Sequence, residues 1–295
     1  MSLWPLQPIG RLFVSWRALL IIFIAAFNFS CSQEKNKTES PAGYDLSTGY
    51  RYTLPSVLNE ISGLSYFSKD SSVFAINDEK GFLFKIYFKN PLKIERWKFG
   101  NGADYEDVVL LDSNIYVLKS KGAIERLKFN SGDSISVTPF PIPVEGKGEF
   151  ETLYYDNVLH RIITTCKSCE QDNKEQLTSF GFNPATSVFD TAIIINTEKI
   201  KTLAHEDKLR LKPSAAAIHP VTGELFLLAS VNKLLVVFNK DRSVKGVYHL
   251  DPKTFKQPEG MTFTSKGDLL ISNESANSGS PDILIFKYNH LKDRQ

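Results

Sequence analysis

The sequence has few cysteines, no excess of one charge and almost no helical periodicity. Its 295 residues contain three cysteines and carry a formal net charge of +2, with no long basic or acidic block. Nucleic-acid binding is therefore not indicated, because contacts to a phosphate backbone require clustered lysine and arginine. The chain also lacks a G-x-S-x-G motif, a Walker loop, an H-E-x-x-H motif and a dinucleotide-binding fingerprint. Function must therefore be sought in the fold.

Only one long apolar run occurs, and it lies near the N-terminus. Two arginines precede an apolar stretch at 18–29, which is followed by a serine and Cys31. A basic flank, a short apolar stretch and a small residue before cysteine are typical of an exported bacterial lipoprotein. We predict that residues 1–31 are a signal peptide and lipoprotein anchor segment, lipidated at Cys31. An uncleaved anchor helix over 12–29 is the alternative.

A polar segment at 32–47 follows the apolar run and shows no core-forming pattern, so we expect a tether there. The lipid at Cys31 would make the membrane a partner of the protein. The expected location is the bacterial cell envelope, lipid-anchored to a membrane and facing the periplasm or the cell surface. We expect the folded part to be a monomer.

The other two cysteines form the pattern Cys-Lys-Ser-Cys at 166–169. Because export exposes a protein to oxidising conditions, we predict a local disulfide between Cys166 and Cys169. A free pair and a redox or metal role stay open. A lone C-x-x-C supplies only two metal ligands, and no βαβ pattern surrounds this one.

A repeat of short strands fills residues 48–290 and decides the predicted fold. Five similar segments open at spacings of 46, 45, 63 and 45 residues. Each opener is followed by two more strands, and four of the units have a fourth. The repeated opening position is occupied, in chain order, by Glu60, Glu106, Glu151, Ser214 and Glu259.

This pattern predicts an all-β fold, a β-propeller of five four-stranded blades. The fifth unit lacks a last strand, and a spare strand at 49–54 precedes the first unit. The N-terminal strand would therefore close the ring by completing the last blade. A helical stretch at 200–211 accounts for the long third unit. A sixth blade stays open only if that unit holds two blades, for which 63 residues is short.

Four segments carry a resemblance to the SdiA-regulated family of exported β-propeller proteins of bacterial envelopes. They are Val-Phe-Ala-Ile-Asn-Asp-Glu-Lys-Gly at 73–81, Ala-Asp-Tyr-Glu-Asp-Val at 103–108, Pro-Ser-Ala-Ala-Ala-Ile-His-Pro at 213–220 and Gln-Pro-Glu-Gly-Met at 257–261. The resemblance spans about residues 48–289 and implies a propeller in the envelope. The architecture is also similar to that of lactonase-like and phytase-like esterase propellers, some of which bind calcium at the channel mouth.

Propeller topology brings distant residues to one end of the central channel. The start of each first strand and the turn after each second strand lie on the same face. We therefore predict a metal site at the channel mouth with Glu60, Glu106, Glu151 and Glu259 as ligands. Further channel-mouth candidates, from the turns and nearby in sequence, are Asp78, Glu79, Asp104, Asp107, Lys119, Ser120, Glu149, Asn273 and Glu274.

Three roles for these carboxylates stay open. They could hold Ca²⁺, which takes six to eight oxygen ligands in irregular geometry. They could accept backbone N–H bonds from the neighbouring blade and lock the blades together. They could also act directly in catalysis. We predict a turn position for His219 and a solvated position on the inserted helix for His205.

Two functions follow from these possibilities. The first is an envelope module that binds a small ligand or a partner protein, with Ca²⁺ as a candidate cofactor at the channel mouth. The second is a calcium-dependent hydrolase of the lactonase, esterase or phosphoesterase kind, in which the metal polarises an oxygen or activates water.

Overall fold

The fold is described from a computed structural model, which covers Met1 and residues 39–131, 134–275 and 279–290. The predicted signal and lipidation segment, with Cys31, lies outside the described residues apart from Met1. In the described part of the chain, no helix is both long and apolar enough to cross a membrane.

In the described residues, twenty strands form five antiparallel sheets of four strands each, as the propeller prediction requires. The blades are consecutive in the chain. Blade 1 contains β2 (Ile61–Phe67), β3 (Ser72–Asn77), β4 (Phe82–Tyr87) and β5 (Lys93–Lys98). Blade 2 contains β6 (Tyr105–Leu111), β7 (Asn114–Lys119), β8 (Ala123–Phe129) and β9 (Ile135–Pro141). Blade 3 contains β10 (Gly148–Asp156), β11 (Arg161–Cys169), β12 (Gln176–Asn183) and β13 (Val188–Asn196).

Blade 4 contains β14 (Ala215–Ile218), β15 (Leu225–Ala229), β16 (Leu234–Phe238) and β17 (Val244–His249). Blade 5 contains β18 (Pro258–Phe263), β19 (Leu269–Asn273), β20 (Asp282–Phe286) and the N-terminal β1 (Tyr50–Thr53). The pairing of β1 with β20 runs from Tyr50 opposite Ile285 to Thr53 opposite Asp282. Both the count of five blades and the closure by the N-terminal strand are confirmed.

The inner and middle strands of the blades are apolar because the blades pack face to face. Every residue of β15, β16 and β19 is buried, whereas the outermost strand β13 alternates between exposed and half-buried residues. Such alternation is typical of a strand with one face in solvent. The core lies between blades: Phe226 of blade 4, for example, packs with Phe263 and Phe286 of blade 5.

Two boundaries differ from the sequence analysis. Tyr44 and Leu46, from the segment predicted to be a tether, are buried in the core, so the packed domain begins before residue 48. The predicted helical stretch is shorter than 200–211. Helix α1 spans Glu198–Ala204 and ends because His205 adopts a left-handed conformation.

Candidate site at the channel mouth

A β-bulge lies at three of the four predicted glutamates. In blade 2, Tyr105 pairs with Lys119 and Asp107 with Leu118, so Glu106 has no partner in the register. The same shift leaves Glu151 unpaired in blade 3 and Glu259 unpaired in blade 5. A bulge turns a side chain out of the regular alternation of a strand. These three glutamates therefore leave the sheet pattern at equivalent points of their blades.

Blades 1 and 4 differ at this position. In blade 1, Ile61 pairs with Asn77 and Leu64 with Ala75, which places the bulge at Ser62–Gly63. The equivalent of Glu106 is therefore Ser62, and the alignment of Glu60 with the other glutamates was wrong by two residues. It was wrong because the repeat was aligned by residue type. In blade 4, Ser214 directly precedes β14 and occupies the equivalent position, as predicted from the repeat.

The end of each second strand, or the turn after it, supplies a second set of equivalent positions. In blade 3, Cys166 pairs with Phe150 as Lys119 pairs with Tyr105 in blade 2, which makes Lys167 the equivalent of Ser120. The complete set, in blade order, is Asp78, Ser120, Lys167, Ser230 and Glu274.

Electrostatic interactions show that the carboxylates converge. The pKa of Glu274 is raised to about 9, first by burial and then by Glu259, Asp78, Glu60 and Glu106. These residues belong to blades 1, 2 and 5, so Glu274 lies among carboxylates from three blades.

The tightest group is formed by Glu60, Asp78 and Glu274. One carboxylate oxygen from each lies within 4.8 Å of the others. The pKa of Asp78 is raised to about 6, first by burial and then by Glu60, Glu79 and Asp104. Its Oδ1 atom is buried and has no hydrogen-bond partner in the part of the chain that the structure describes. A buried acceptor without a partner is costly, so this position would be stabilised by a cation or a donor.

Lys167 balances part of this negative charge on the blade 3 side. It forms an ion pair with Glu151. It also lowers the pKa values of Glu106 and Glu259, although burial dominates and raises the first to about 7 and the second above its ordinary value. Lys167 was not predicted as a site residue, although it occupies the position in the repeat that Ser120 occupies in blade 2.

Several predicted site residues have other roles. Asp107 is fully buried and accepts N–H bonds from Val108 at 2.8 Å and from Leu153 of blade 3 at 2.6 Å. It therefore joins two blades and is not part of the open mouth. Asn273 is also buried, and its amide donates to Asp282 at 2.8 Å. Glu79 and Glu149 are exposed.

Residues near the mouth also include the cysteine pair. Cys166 and Cys169 are joined by a disulfide at the end of β11, on either side of Lys167 and Ser168. The histidines lie elsewhere. His219 is buried, and its Nδ1 accepts N–H bonds from Val221 and Thr222 in the turn after β14. His205 is exposed at the end of α1.

The fold and the mouth together define a five-bladed propeller with an acidic channel entrance. A model of the SdiA-regulated family matches residues 40–277, and the chain belongs to that family. A search of curated proteins found no match.

Solved structures with the same architecture share little sequence with the chain. The glutaminyl cyclase of Myxococcus xanthus is 11% identical at a TM-score of 0.53, with 85% of this chain and 100% of that chain covered. A luciferin-regenerating enzyme is 9% identical at a TM-score of 0.50, with 82% and 96% covered. At such identities the likeness extends to the fold alone.

Proposed function

We propose that the protein is a ligand-binding module of the bacterial cell envelope that holds Ca²⁺ at its channel mouth. The observation that carries the proposal is the group formed by Glu60, Asp78 and Glu274. One carboxylate oxygen from each lies within 4.8 Å of the others, and among the described residues the buried Asp78 Oδ1 has no hydrogen-bond partner. Carboxylate oxygens are the ligands that Ca²⁺ prefers, and its coordination tolerates irregular geometry.

The charge balance of the mouth supports a cation. Glu106 and Glu259 raise the pKa of Glu274, in addition to the effects of Glu60 and Asp78. Without a counterion, such carboxylates repel one another and take up protons. A divalent ion between the three closest groups would remove this repulsion. Glu106, Glu151 and Glu259, which were predicted as ligands, would then lie around the ion site and shape what binds above it.

The anchor completes the proposal. Lipidation at Cys31 would hold the propeller at a membrane, with the mouth free to receive a small ligand or an envelope protein. Mass spectrometry of the protein purified from membranes tests this step: a diacylated or triacylated peptide beginning at Cys31 is expected. An unmodified N-terminus at Met1 would contradict it.

Calcium binding is tested by thermal unfolding of the purified protein with chelator, with Ca²⁺ and with Mg²⁺. A ligand that binds only the folded state raises the melting temperature by mass action. We expect a rise with Ca²⁺ that is lost in the variant Glu274→Gln and kept in the control Glu149→Gln, whose side chain is exposed outside the group. A melting temperature that responds to neither Ca²⁺ nor chelator would overturn the cation site.

A calcium-dependent hydrolase of lactones, carboxylic esters or phosphoesters is the second candidate. It is favoured by the presence of Glu106 and Glu259 beside the three-carboxylate group, because a spare carboxylate next to a cation can serve as a general base. Hydrolysis of γ-butyrolactone, p-nitrophenyl acetate and p-nitrophenyl phosphate distinguishes the two. Turnover that is lost in Glu106→Gln, while Ca²⁺ still stabilises that variant, would establish catalysis. No turnover with intact Ca²⁺ binding supports the binding module.

A further inference from the structure

A second cavity lies between blades 3 and 4. Its volume is about 350 Å³, which is at the small end of the range for ligand pockets (about 300–1,000 Å³). None of the channel-mouth residues lines it. The lining comes from β10, β12 and β13 of blade 3, from α1, and from β15, β16 and β17 of blade 4 with the turn before β17.

The walls of this cavity, which we call the interblade pocket, are mostly apolar. Ile193 and Ile195 of β13 line one side, and Leu225 and Phe238 of blade 4 line the other. Both isoleucines are half-buried and pack against the apolar core between blades 3 and 4. The pocket therefore offers apolar surface that a hydrocarbon group could cover.

The polar lining of the interblade pocket includes two cations and no carboxylate. Arg242 and Lys199 both line it. The Nζ atom of Lys199 donates to the carbonyl oxygen of Val244 at 2.7 Å. The acids next to these two residues along the chain are engaged elsewhere: Asp241 accepts bonds from Ser243 at 2.6 and 2.9 Å, and Glu198 forms an ion pair with Lys201 at 2.6 Å.

Arg242 is held in place by an ion pair with Asp156, whose side chain is 1% exposed. The other oxygen of Asp156 accepts N–H bonds from Val158 at 2.9 Å and Leu159 at 3.0 Å, which fixes the carboxylate. The Nη1 atom of Arg242 is buried and has no hydrogen-bond partner among the described residues. A guanidinium with one nitrogen engaged and one unsatisfied can still donate hydrogen bonds to a carboxylate.

We propose that the interblade pocket binds a small apolar carboxylate. Its hydrocarbon part would lie against the isoleucines of β13, and its carboxylate would meet Arg242 and Lys199. A neutral molecule of the same shape would cover the apolar walls but leave Nη1 without a partner. A cationic molecule would be repelled by both basic side chains.

Calorimetric titration of the purified protein with octanoate, octan-1-ol and octylamine tests the ligand class. A hydrogen bond to a charged group contributes about 1.5–3 kcal/mol, so we expect octanoate to bind about tenfold or more tightly than octan-1-ol. Octylamine should bind most weakly. Equal affinities for octanoate and octan-1-ol, or no saturable binding of octanoate, would overturn the proposal.

Substitutions on β13 locate the site. Ile193→Asp places a negative charge at the wall that faces blade 4 and should abolish octanoate binding, whereas Ile193→Lys should retain it. Val188→Asp is the matched control, since Val188 lies on the same strand, is 51% exposed and does not line the pocket. Identical octanoate affinities for Ile193→Asp and Val188→Asp would exclude the interblade pocket.

The variant Arg242→Gln tests the anionic part of the ligand. If it folds, it should bind octanoate and octan-1-ol with similar affinity. A variant that folds and still prefers octanoate tenfold would overturn the role of Arg242. If it fails to fold because Asp156 loses its partner, the Ile193→Asp and Ile193→Lys pair decides the question.

Discussion

Blades 4 and 5 differ at the two equivalent positions that face the channel mouth. Blade 4 has Ser214 and Ser230 there, whereas blade 5 has Glu259 and Glu274. The hydroxyl of Ser214 donates to the carbonyl oxygen of Pro258 in blade 5 at 3.1 Å and accepts the N–H of Ser230 at 3.2 Å. A neutral side chain is thus sufficient to join two blades at the mouth.

Most contacts between blades at the mouth are made by residues other than the predicted glutamates. Among the described residues, none of Glu60, Glu106, Glu151 and Glu259 accepts an N–H bond from a neighbouring blade, although the hydroxyl of Ser230 donates to Glu259. The blades are joined by Ser214, by Asp107 and by main-chain bonds. One such bond runs from the Tyr105 N–H to the main-chain carbonyl oxygen of Asp78 at 2.9 Å. The mouth glutamates therefore contribute little to joining the blades, apart from the bond between Ser230 of blade 4 and Glu259 of blade 5.

The largest expected effect is a loss of stability on substitution of Asp107, which substitution of its neighbour Glu106 should not cause. Asp107→Ala leaves the buried N–H groups of Val108 and Leu153 without their acceptor. Each unsatisfied buried group costs about 1–3 kcal/mol, so we expect the free energy of unfolding to fall by about 3 kcal/mol. Urea denaturation measures the change.

Glu106→Gln is the matched variant for this measurement. It removes a carboxyl group whose pKa is raised to about 7, chiefly by burial and by neighbouring carboxylates. We therefore expect it to leave the free energy of unfolding unchanged or to increase it in the absence of Ca²⁺. If both variants lost the same free energy of unfolding, Asp107 would not differ from Glu106 in joining the blades.

The pH dependence of stability should be the next largest effect. The pKa values of Asp78, Glu106 and Glu274 in the folded state are about 6, 7 and 9, above their ordinary values of 3.8, 4.5 and 4.5. The folded state therefore binds more protons than the unfolded state between these limits. By linkage, this contribution is fully present below about pH 4 and is lost as the pH rises through 6 to 9.

With chelator present, we expect the free energy of unfolding to fall by on the order of 2 kcal/mol between pH 5 and pH 8, after allowance for solvent screening. Denaturation series at several pH values measure the slope. The double variant Glu106→Gln with Glu274→Gln should flatten it, and saturating Ca²⁺ should flatten it in the unmodified protein. An unchanged slope in the double variant would show that these groups are not linked to folding.

Blade number and ring closure could be predicted from the sequence because each blade repeats short apolar strands at a nearly constant spacing. The register of the mouth residues and the role of Lys167 could not be predicted in this way. Glu60 was aligned with Glu106 by residue type, whereas the bulge that sets the register leaves no mark in residue type. Lys167 was read only as part of the cysteine motif. Tyr44 and Leu46 stand alone in a polar segment, and their burial depends on contacts with distant strands.

A smaller effect tests the serine of blade 4. Ser214→Ala removes the bonds to Pro258 and Ser230 in a buried environment, for which we expect a loss of about 1–2 kcal/mol. Ser47→Ala is the control, because Ser47 is exposed and its bonds run only to nearby Asp45. If both variants unfold at the same urea concentration, Ser214 does not join the blades and the contrast with blade 5 fails.

The smallest expected effect is a change in calcium affinity on substitution of Lys167, which offsets part of the negative charge on the blade 3 side of the mouth. Because Lys167 lowers the pKa values of Glu106 and Glu259, Lys167→Met should raise both. Protons would then compete with Ca²⁺ up to a higher pH, while the affinity at high pH should increase because a nearby positive charge is gone. Calcium titrations at pH 6 and pH 9 measure the two changes, with Lys121→Met as a control on an exposed lysine of the neighbouring blade. A variant whose calcium affinity changes equally at both pH values would show that Lys167 acts on the ion directly and not through the titration of the glutamates.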